Sequence, residues 1–436
     1  MTDAASRLPE SEDSSLSCPP PRTITCDAVV IGGGPAGAAT ATILAEKGRD
    51  VVVLERERFP RYSLGESLIP HCWYPLQRLG LAERMSSTGF VVPKNSVQFV
   101  STDGIRSKPF YFYQHSDHPA MQAWQIVRSH FDELLLTNAA EKGARVLFET
   151  TGTDLLRDGE RVVGVAARAR DGSGLEVRAP ITVDASGRSA RGQNRNRWRE
   201  ADHKMSKVAL WTYYRGAMRD PGRDEGATTV AYLPEKGWFW YIPQTDDTVS
   251  VGIVADPEYL FRDTRSPRAI FEREVKVQPW IREHLAVGEN LHVYQVTRDL
   301  SYRSRHCASD GLVLVGDAFS FLDPVFSAGV YLALQSGVLA ADAVDAALEA
   351  GDTGAARFEA YGTRVCREIE AMRTLVFAFY DPNFHFSSFL RAHPELHHDL
   401  TDCLIGNLDR DFTALTAALG EFAELPEPID YGAPKT

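Results

Sequence analysis

Cys26-Asp27-Ala28-Val29-Val30-Ile31-Gly32-Gly33-Gly34-Pro35-Ala36-Gly37 is the stretch whose reading decides the fold. The apolar run at 28–31 suits a strand buried on both faces, and the glycines after it let the backbone turn sharply into a helix. Gly32, Gly34 and Gly37 fit G-x-G-x-x-G. In that pattern the first glycine permits a tight turn, the second lets a pyrophosphate approach the backbone, and the third lets helix and strand pack closely. The helix N-terminus then faces the anion. Such a fingerprint is weak alone, but its surroundings agree. Small residues continue a helix over 38–45, Lys47-Gly48 ends it, and Val51-Val52-Val53-Leu54 reads as a second buried strand. Glu55 follows 18 residues past Gly37, where a ribose-binding carboxylate belongs.

Size and charge set the outer bounds. A chain of 436 residues can bury a large core and hold more than one domain. Its 47 basic and 59 acidic residues argue against a general nucleic-acid binder. Six scattered cysteines without C-x-x-C suit a reducing cytoplasm and offer no metal-site spacing, so no metal is expected. Residues 1–21, rich in Ser, Pro and acids, read as a disordered leader rather than a signal peptide. No stretch approaches the roughly 18 consecutive apolar residues of a membrane span, so a soluble protein is expected.

Outward from the glycine loop, residues 56–70 carry too much Pro, Gly and charge for one regular element. They are expected to cross the cofactor site, with Gly65 allowing close approach and Glu66 and Ser67 offering hydrogen bonds. Residues 73–85 look helical. A strand over 93–100 places Lys94, Ser96 and Gln98 on one face, and the aromatics at 110–113 suit either a pocket wall or a sheet surface. A helix over 131–142, capped by Gly143, leads to a strand at 144–148. Strands at 161–169 and 175–183, joined by Asp171-Gly172-Ser173-Gly174, run into Asp184-Ala185-Ser186-Gly187.

Arg188, Arg191, Arg195, Arg197, Arg199, Lys204 and Lys207 then form a basic cluster, either a solvated loop or a docking patch for an acidic carrier protein. Three antiparallel strands fill 228–254. The middle one sets Trp238, Trp240 and Ile242 on one side and Phe239 and Tyr241 on the other. A buried strand at 312–315 ends at Gly316-Asp317, putting a carboxylate at the sheet edge where open α/β folds bind ligands. Ser327-Ala328-Gly329 precedes a helix over 330–350 whose first N–H groups form an anion cradle. Residues 353–425 read as helical.

These segments together resemble the flavin-dependent halogenases, within the wider group of FAD-dependent aromatic hydroxylases. The broad marks are the glycine loop with Glu55, the Asp184-Ala185-Ser186-Gly187 segment and Gly316-Asp317. Two narrower marks are Gly237-Trp238-Phe239-Trp240-Tyr241-Ile242-Pro243, which fits G-W-x-W-x-I-P, and Phe321, Pro324, Ser327 and Gly329, which fit F-x-x-P-x-x-S-x-G. The resemblance implies an α/β fold, α+β overall. A Rossmann-like FAD-binding domain would be assembled from 22–94, 125–190 and 295–350, an antiparallel-sheet substrate domain from 95–124 and 191–294, and a helical C-terminal region from 351–436.

It also implies a reaction: FADH2 from a separate flavin reductase, O2 and chloride or bromide yield hypohalous acid beside the flavin. Lys94 then carries the oxidant to an electron-rich ring, while Trp238 and Trp240 separate flavin from substrate. Gly32, Gly34, Ala36, Gly37, Glu55, Arg56, Arg61, Gly65, Glu66, Ser67, Arg128, Asp184, Ala185, Asp317, Pro324, Gly329 and Val330 are expected at FAD, and Ser327, Ala328 and Gly329 at the halide. Tryptophan halogenases carry a glutamate where this chain has Phe326, so the halide segment looks closer to the phenol and pyrrole halogenases. Asn95 stands where a glycine is frequent after the lysine. The substrate would be a small phenolic or pyrrolic ring, free or on a carrier protein, with no nucleic acid or membrane involved. The residues themselves leave two alternatives, a flavin monooxygenase or reductase acting directly on its substrate and a non-catalytic flavoprotein.

Overall fold

Valine-rich runs with no polar face need cover on both sides, and a parallel sheet between two layers provides it. The computed structural model describes residues 22–298, 301–427 and 431–436; the expected leader at 1–21 lies outside them. Its central sheet has the order Ala308–Ser309, Leu312–Leu314, Ile181–Asp184, Ala28–Ile31, Val51–Leu54, Arg145–Leu147. Every pairing is parallel except that of Ala308–Ser309 with Leu312–Leu314. Alternation along the strands splits their side chains between two cores: Ala28, Val30, Val51 and Val53 face helices Pro35–Glu46, Arg128–Glu141 and Gly329–Glu349. Val29, Ile31, Val52 and Leu54 meet Val165, Ala167 and Val177 of a second layer. That layer is a four-stranded sheet in the order Arg22–Thr25, Gly174–Arg178, Arg161–Ala169, Thr150–Asp158.

Small residues set the helix spacing. A Cβ on Gly337 would lie 2.5 Å from the Ala36 carbonyl oxygen, and Thr40 Oγ1 donates to the Gly337 carbonyl at 3.0 Å. Helix Gly329–Glu349 is long and apolar enough to resemble a membrane span, but it packs here as a core helix against Pro35–Glu46.

A second sheet carries Trp238–Pro243 at its centre, in the order Glu289–Asn290, Val208–Arg215, Thr248–Ala255, Trp238–Pro243, Thr228–Tyr232, Ser96–Val100, Phe110–Tyr111. The three expected antiparallel strands are Thr228–Tyr232, Trp238–Pro243 and Thr248–Ala255, but Thr228–Tyr232 pairs with Ser96–Val100 in parallel. Phe239 and Tyr241 enter a core with Ile253, Phe271 and Ile281, while Trp238 and Trp240 face the other way.

Four local expectations are corrected. Residues 175–183 are two strands in two sheets, Gly174–Arg178 and Ile181–Asp184, because Pro180 cannot donate to a ladder. Residues 73–85 break into Trp73–Arg78 and Ala82–Met85 around Gly80, whose φ of 74° is left-handed. Residues 93–100 split at Asn95: Lys94 ends Val91–Lys94, paired with Ala123–Ile126, whereas Ser96–Val100 joins the large sheet. Lys94, Ser96 and Gln98 are nonetheless all buried. The helix expected from 131 starts at Arg128.

Gly37 limits the whole glycine loop, because a Cβ there would stand 2.0 Å from the Gly32 carbonyl oxygen. The Gly32 backbone cannot give way, and Ala185 Cβ stands at 3.0 Å, so Gly37→Ala is expected to lower stability by about 2–3 kcal/mol. Denaturant unfolding of the apoprotein checks this, and FAD retention should fall with it.

Candidate functional site

At the carboxyl ends of the central strands lies a cavity of about 600 Å³, walled by both sheets and by the start of helix Gly329–Glu349. The glycine loop forms its floor. Gly32 has φ 103°, and a Cβ there would meet the Ala185 carbonyl oxygen at 2.4 Å. Gly34 instead faces open space, its nearest neighbour being Arg61 Nη2 at 3.5 Å. A diphosphate therefore fits over Gly34 at the N-terminus of Pro35–Glu46, with Arg56 and Arg61 on the wall. Glu55 organises the loop: its carboxylate accepts the amide N–H of Gly33 at 2.8 Å and of Glu57 at 2.9 Å.

The residues expected at the cofactor all line this cavity except Gly37 and Asp184. Gly37 is spent on helix-to-strand packing. Asp184 is buried behind the wall, where its carboxylate accepts the amides of Ser186 at 3.0 Å and of Gly192. It shapes the turn that places Ala185 at the cavity. The residues are suited to FAD: an open glycine cradle, basic groups near it, and carboxylates farther along. Asp317 is one of these, and burial pushes its carboxyl up to about 6 against the pull of Arg188 and Arg128.

Segment 56–70 does cross the cavity. Asp132 holds Arg61 at 2.9 Å and Arg128 at 2.8 and 3.0 Å, and Arg128 donates to the carbonyls of Leu64 and Gly65. This clamp sets Glu66 and Ser67 beside Ala123–Ile126, with Ile126 N–H donating to the Glu66 carbonyl at 2.8 Å. Gly65 is needed there, since its φ is 106° and a Cβ would lie 2.7 Å from Arg128 Nη1.

Three indoles wall the opposite side. Trp238 and Trp240 have ring centroids 6.2 Å apart, and Trp211 lies 6.1 Å from Trp240. Gly252, directly across from Trp240, makes room: a Cβ there would sit 2.2 Å from the indole. Trp238 Nε1 donates to Tyr380 Oη at 2.8 Å, and Tyr380 donates to Asp323 at 2.9 Å, which anchors the wall to the C-terminal helices.

A second cavity, about 440 Å³, adjoins the first. Lys94, Phe99, Phe110, Phe112, Phe326 and Phe386 line it, and Thr228, Val325 and Ser327 belong to both cavities. The Lys94 side chain is fully buried, and its Nζ donates to Ser67 Oγ at 2.8 Å and to the Leu68 carbonyl at 2.9 Å. Ser67 in turn bonds Thr228 Oγ1 at 2.9 Å, which accepts from Gln125 at 2.8 Å. Ser67 thus reaches Lys94 from the wall of the larger cavity. Burial pushes the lysine down to about 7. Phe326 meets Phe379 and Phe386 edge-on and brings no carboxylate to the pocket.

Ser327 does not offer its amide to the expected anion cradle. Ser327, at φ 57°, donates its amide to the Pro324 carbonyl at 2.9 Å. The amides of Gly329 and Val330 open the helix and, as in any first turn, have no intrahelical acceptor. Nor is the basic cluster a single patch. Lys207 is buried against Asp256 and Tyr380, Arg199 stacks on Tyr302, Arg195 pairs with Asp154, and Lys204 pairs with Glu424. His115, His398 and Asp402 come together near the surface, but Arg410 and Asn407 already hold the Asp402 carboxylate.

Sequence reasoning missed Tyr62, Gln125, Trp211, Tyr213 and Thr228. Trp211 and Tyr213 sit in a strand-like aromatic run that could have signalled them; the others gain meaning from partners more than 60 residues away.

Because the folded Asp317 carboxyl holds its proton more tightly than the unfolded one, its ionisation lowers stability as pH climbs from about 4 to about 6. Asp317→Asn is therefore expected to stabilise the apoprotein at pH 7 by roughly 1–3 kcal/mol while weakening FAD binding. Thermal unfolding with and without FAD reads both effects.

Comparison with known proteins identifies the family of the chain. The FAD binding domain family matches residues 25–374. A 1H-pyrrole-2-carbonyl-[peptidyl-carrier protein] brominase of Pseudoalteromonas luteoviolacea is 33% identical over 330 residues, covering 75% of this chain and 79% of the relative. A tryptophan 2-halogenase of Chondromyces crocatus is 33% identical over 383 residues, covering 85% and 71%. Among solved structures, the flavin-dependent brominase Bmp2 superposes with a TM-score of 0.82 at 28% identity, covering 91% of this chain and 98% of that one. The myxobacterial chondrochloren halogenase CndH gives 0.76 at 33% identity, covering 88% and 91%. The chain belongs to the flavin-dependent halogenases, oxidoreductases built on an FAD-binding domain.

Proposed function

We propose that this enzyme halogenates an electron-rich phenolic or pyrrolic ring, free or carrier-tethered, and that Lys94 directs the oxidised halogen to it. The observation that carries this reading is Lys94 itself, a buried amine at the head of an aromatic-lined cavity, hydrogen-bonded to a serine on the wall of the FAD cavity. FADH2 delivered by a separate flavin reductase would supply, with O2, the two-electron oxidation of chloride or bromide.

The chain's own residues handle the rest. The first amides of helix Gly329–Glu349, with Ala328, would hold the halide. Ser67 and Thr228, between the cavities, offer hydroxyls along the path of hypohalous acid. An amine held at about 7 is substantially neutral at physiological pH and therefore nucleophilic. It can take halogen from hypohalous acid, releasing water, and pass it to the ring, recovering the N–H. The indoles of Trp211, Trp238 and Trp240 keep bulky rings on the far side of that path. Phe326 and Phe386 favour a flat apolar ring, and the relatives that act on pyrrolyl groups of a peptidyl-carrier protein support a tethered substrate.

Incubating FADH2-loaded enzyme with O2, bromide, simple phenols and a pyrrolyl carrier protein, followed by product masses, tests the assignment. Oxygen gain without halogen would overturn it. Lys94→Ala is expected to keep FAD and form hypohalous acid, read with a solution trap, while halogenated product falls at least about 100-fold. In the wild type, product per trapped oxidant should drop as pH falls below about 7 and Lys94 protonates. A flat profile between pH 6 and 8, read in roughly half-unit steps, would exclude a neutral amine.

A further inference from the structure

The second cavity changes character between its inner and outer parts. The inner part is buried and mostly apolar, with Phe112, Val325, Phe326 and Leu400 lining it along with Lys94. Its outer part is made of exposed polar residues from three separate segments. Ser107 and Lys108 come from the loop after Ser96–Val100, His385 and Ser387 from the start of Phe386–Ala392, and His397 from the start of His397–Ile405. Aromatic rings join the two parts: the Phe110 centroid is 6.5 Å from that of His397, and the Phe386 centroid is 5.6 Å from that of Phe99. A substituent on a ring held by the inner phenylalanines can leave through this mouth.

The mouth has one sign of charge. Lys94, Lys108, His385 and His397 line this cavity, and among the described residues no Asp or Glu joins them. That runs against the balance of a chain whose net charge is −12, and against the FAD cavity, where Glu55, Glu57, Glu66 and Asp317 stand among the arginines. Lys94 spends donors on Ser67 and the Leu68 carbonyl, so the accessible charge is that of Lys108. Arg106, two residues earlier, pairs with Asp220 at 2.9 Å, whereas Lys108 makes no ion pair among the described residues. The imidazoles of His385 and His397 make no hydrogen bond among them either. Unpaired donors of one sign at the opening of an apolar-walled cavity concentrate positive potential there and favour an anion. Each imidazole supplies at least one N–H donor in either protonation state, and Ser387 supplies a hydroxyl.

We propose that the substrate carries an anionic group attached to its aromatic ring, and that Lys108, His385 and His397 hold this group at the mouth while the ring lies against Phe99, Phe326 and Phe386. The inference rests on the proposed reading of this cavity as the ring pocket and narrows the substrate class, making neutral phenols and pyrroles the poorer ligands. The chemistry recognised is an oxyanion, a carboxylate or a phosphodiester. A carboxylate would belong to a free aromatic acid, and a phosphodiester to the pantetheine arm of a carrier protein.

Calorimetry on the oxidised, FAD-bound enzyme reads binding without halide or turnover. The probes are para-hydroxybenzoate and para-hydroxyphenylacetate, each against its amide. At least one acid is expected to bind about tenfold more tightly than its amide, because hydrogen bonds to a charged group are the stronger ones. In Lys108→Gln the ratio of acid to amide affinity should fall toward one. In Lys108→Glu, tyramine, whose tail is cationic, should bind more tightly than either acid. Lys108 is exposed, and retained FAD verifies that the variants fold. Pyrrolyl-pantetheine and its phosphate separate the two sources. A preference for the phosphate that Lys108→Gln removes assigns the anion to the arm, and a preference confined to the free acids assigns it to the ring. Acid-to-amide ratios near one in the wild type, with no preference for the phosphate, overturn the subsite. So does a preference that survives unchanged in Lys108→Gln, His385→Ala and His397→Ala. If the acids bind as expected but FADH2, O2 and bromide yield no brominated ring, the halogenase reading fails and the anion subsite stands. If acids and amides are brominated with equal kcat/KM, the subsite fails and the halogenase reading stands.

Discussion

One buried carboxylate holds the active region in shape. Asp132 sits on helix Arg128–Glu141, away from any cavity opening, and neutralises two guanidinium groups, Arg61 and Arg128. Removing one partner of such a buried pair leaves an uncompensated charge and typically costs about 3–5 kcal/mol. Arg128 spends its remaining donors on the carbonyls of Leu64 and Gly65, so an irregular segment rich in Pro, Gly and charge acquires a fixed path. Everything that segment presents follows from this clamp. Tyr62 reaches Trp211 and Tyr213, Glu66 reaches the cavity wall, and Ser67 reaches Lys94.

A second constraint is spatial. The large sheet turns one face of Trp238–Pro243 toward the FAD cavity and the other toward its own core, and it keeps Trp240 flat by placing Gly252 across from it. The indoles, the shared residues Thr228, Val325 and Ser327, and the Ser67–Lys94 bond divide the interior into two chambers joined at one polar spot. Burying an amine at that spot is unfavourable for its charged form, and this desolvation pushes Lys94 down to about 7.

Much of this was legible in the chain. The Gly32–Gly37 loop, the flanking buried strands and the alternation of Trp238 and Trp240 against Phe239 and Tyr241 follow from local periodicity and from the geometry only glycine tolerates. Expectations failed where one residue serves two neighbours. Asp184 lies at the right place on the right strand, but its carboxylate is consumed by the amides of Ser186 and Gly192. Ser327 opens the expected cradle, yet its own amide closes a turn onto Pro324. Of the basic cluster, open in the sequence to a solvated loop or a docking patch, Lys207 and Arg199 find aromatic and acidic partners distant in the chain, while Arg195 and Lys204 stay exposed.

Sequence alone determined a tight glycine βα turn after a buried strand, and the structure bears it out, since backbone conformation at Gly32 and close packing at Gly37 admit no side chain. It also determined which face of each strand is apolar, because that depends only on period. Tertiary structure decided what the polar residues do. Hydrogen bonds between Lys94 and Ser67, Tyr213 and Glu66, and Trp211 and Tyr62 span 27 to 149 residues of chain. A polar side chain carries its chemistry in its type, but its protonation and its direction come from partners that only folding brings within 3 Å.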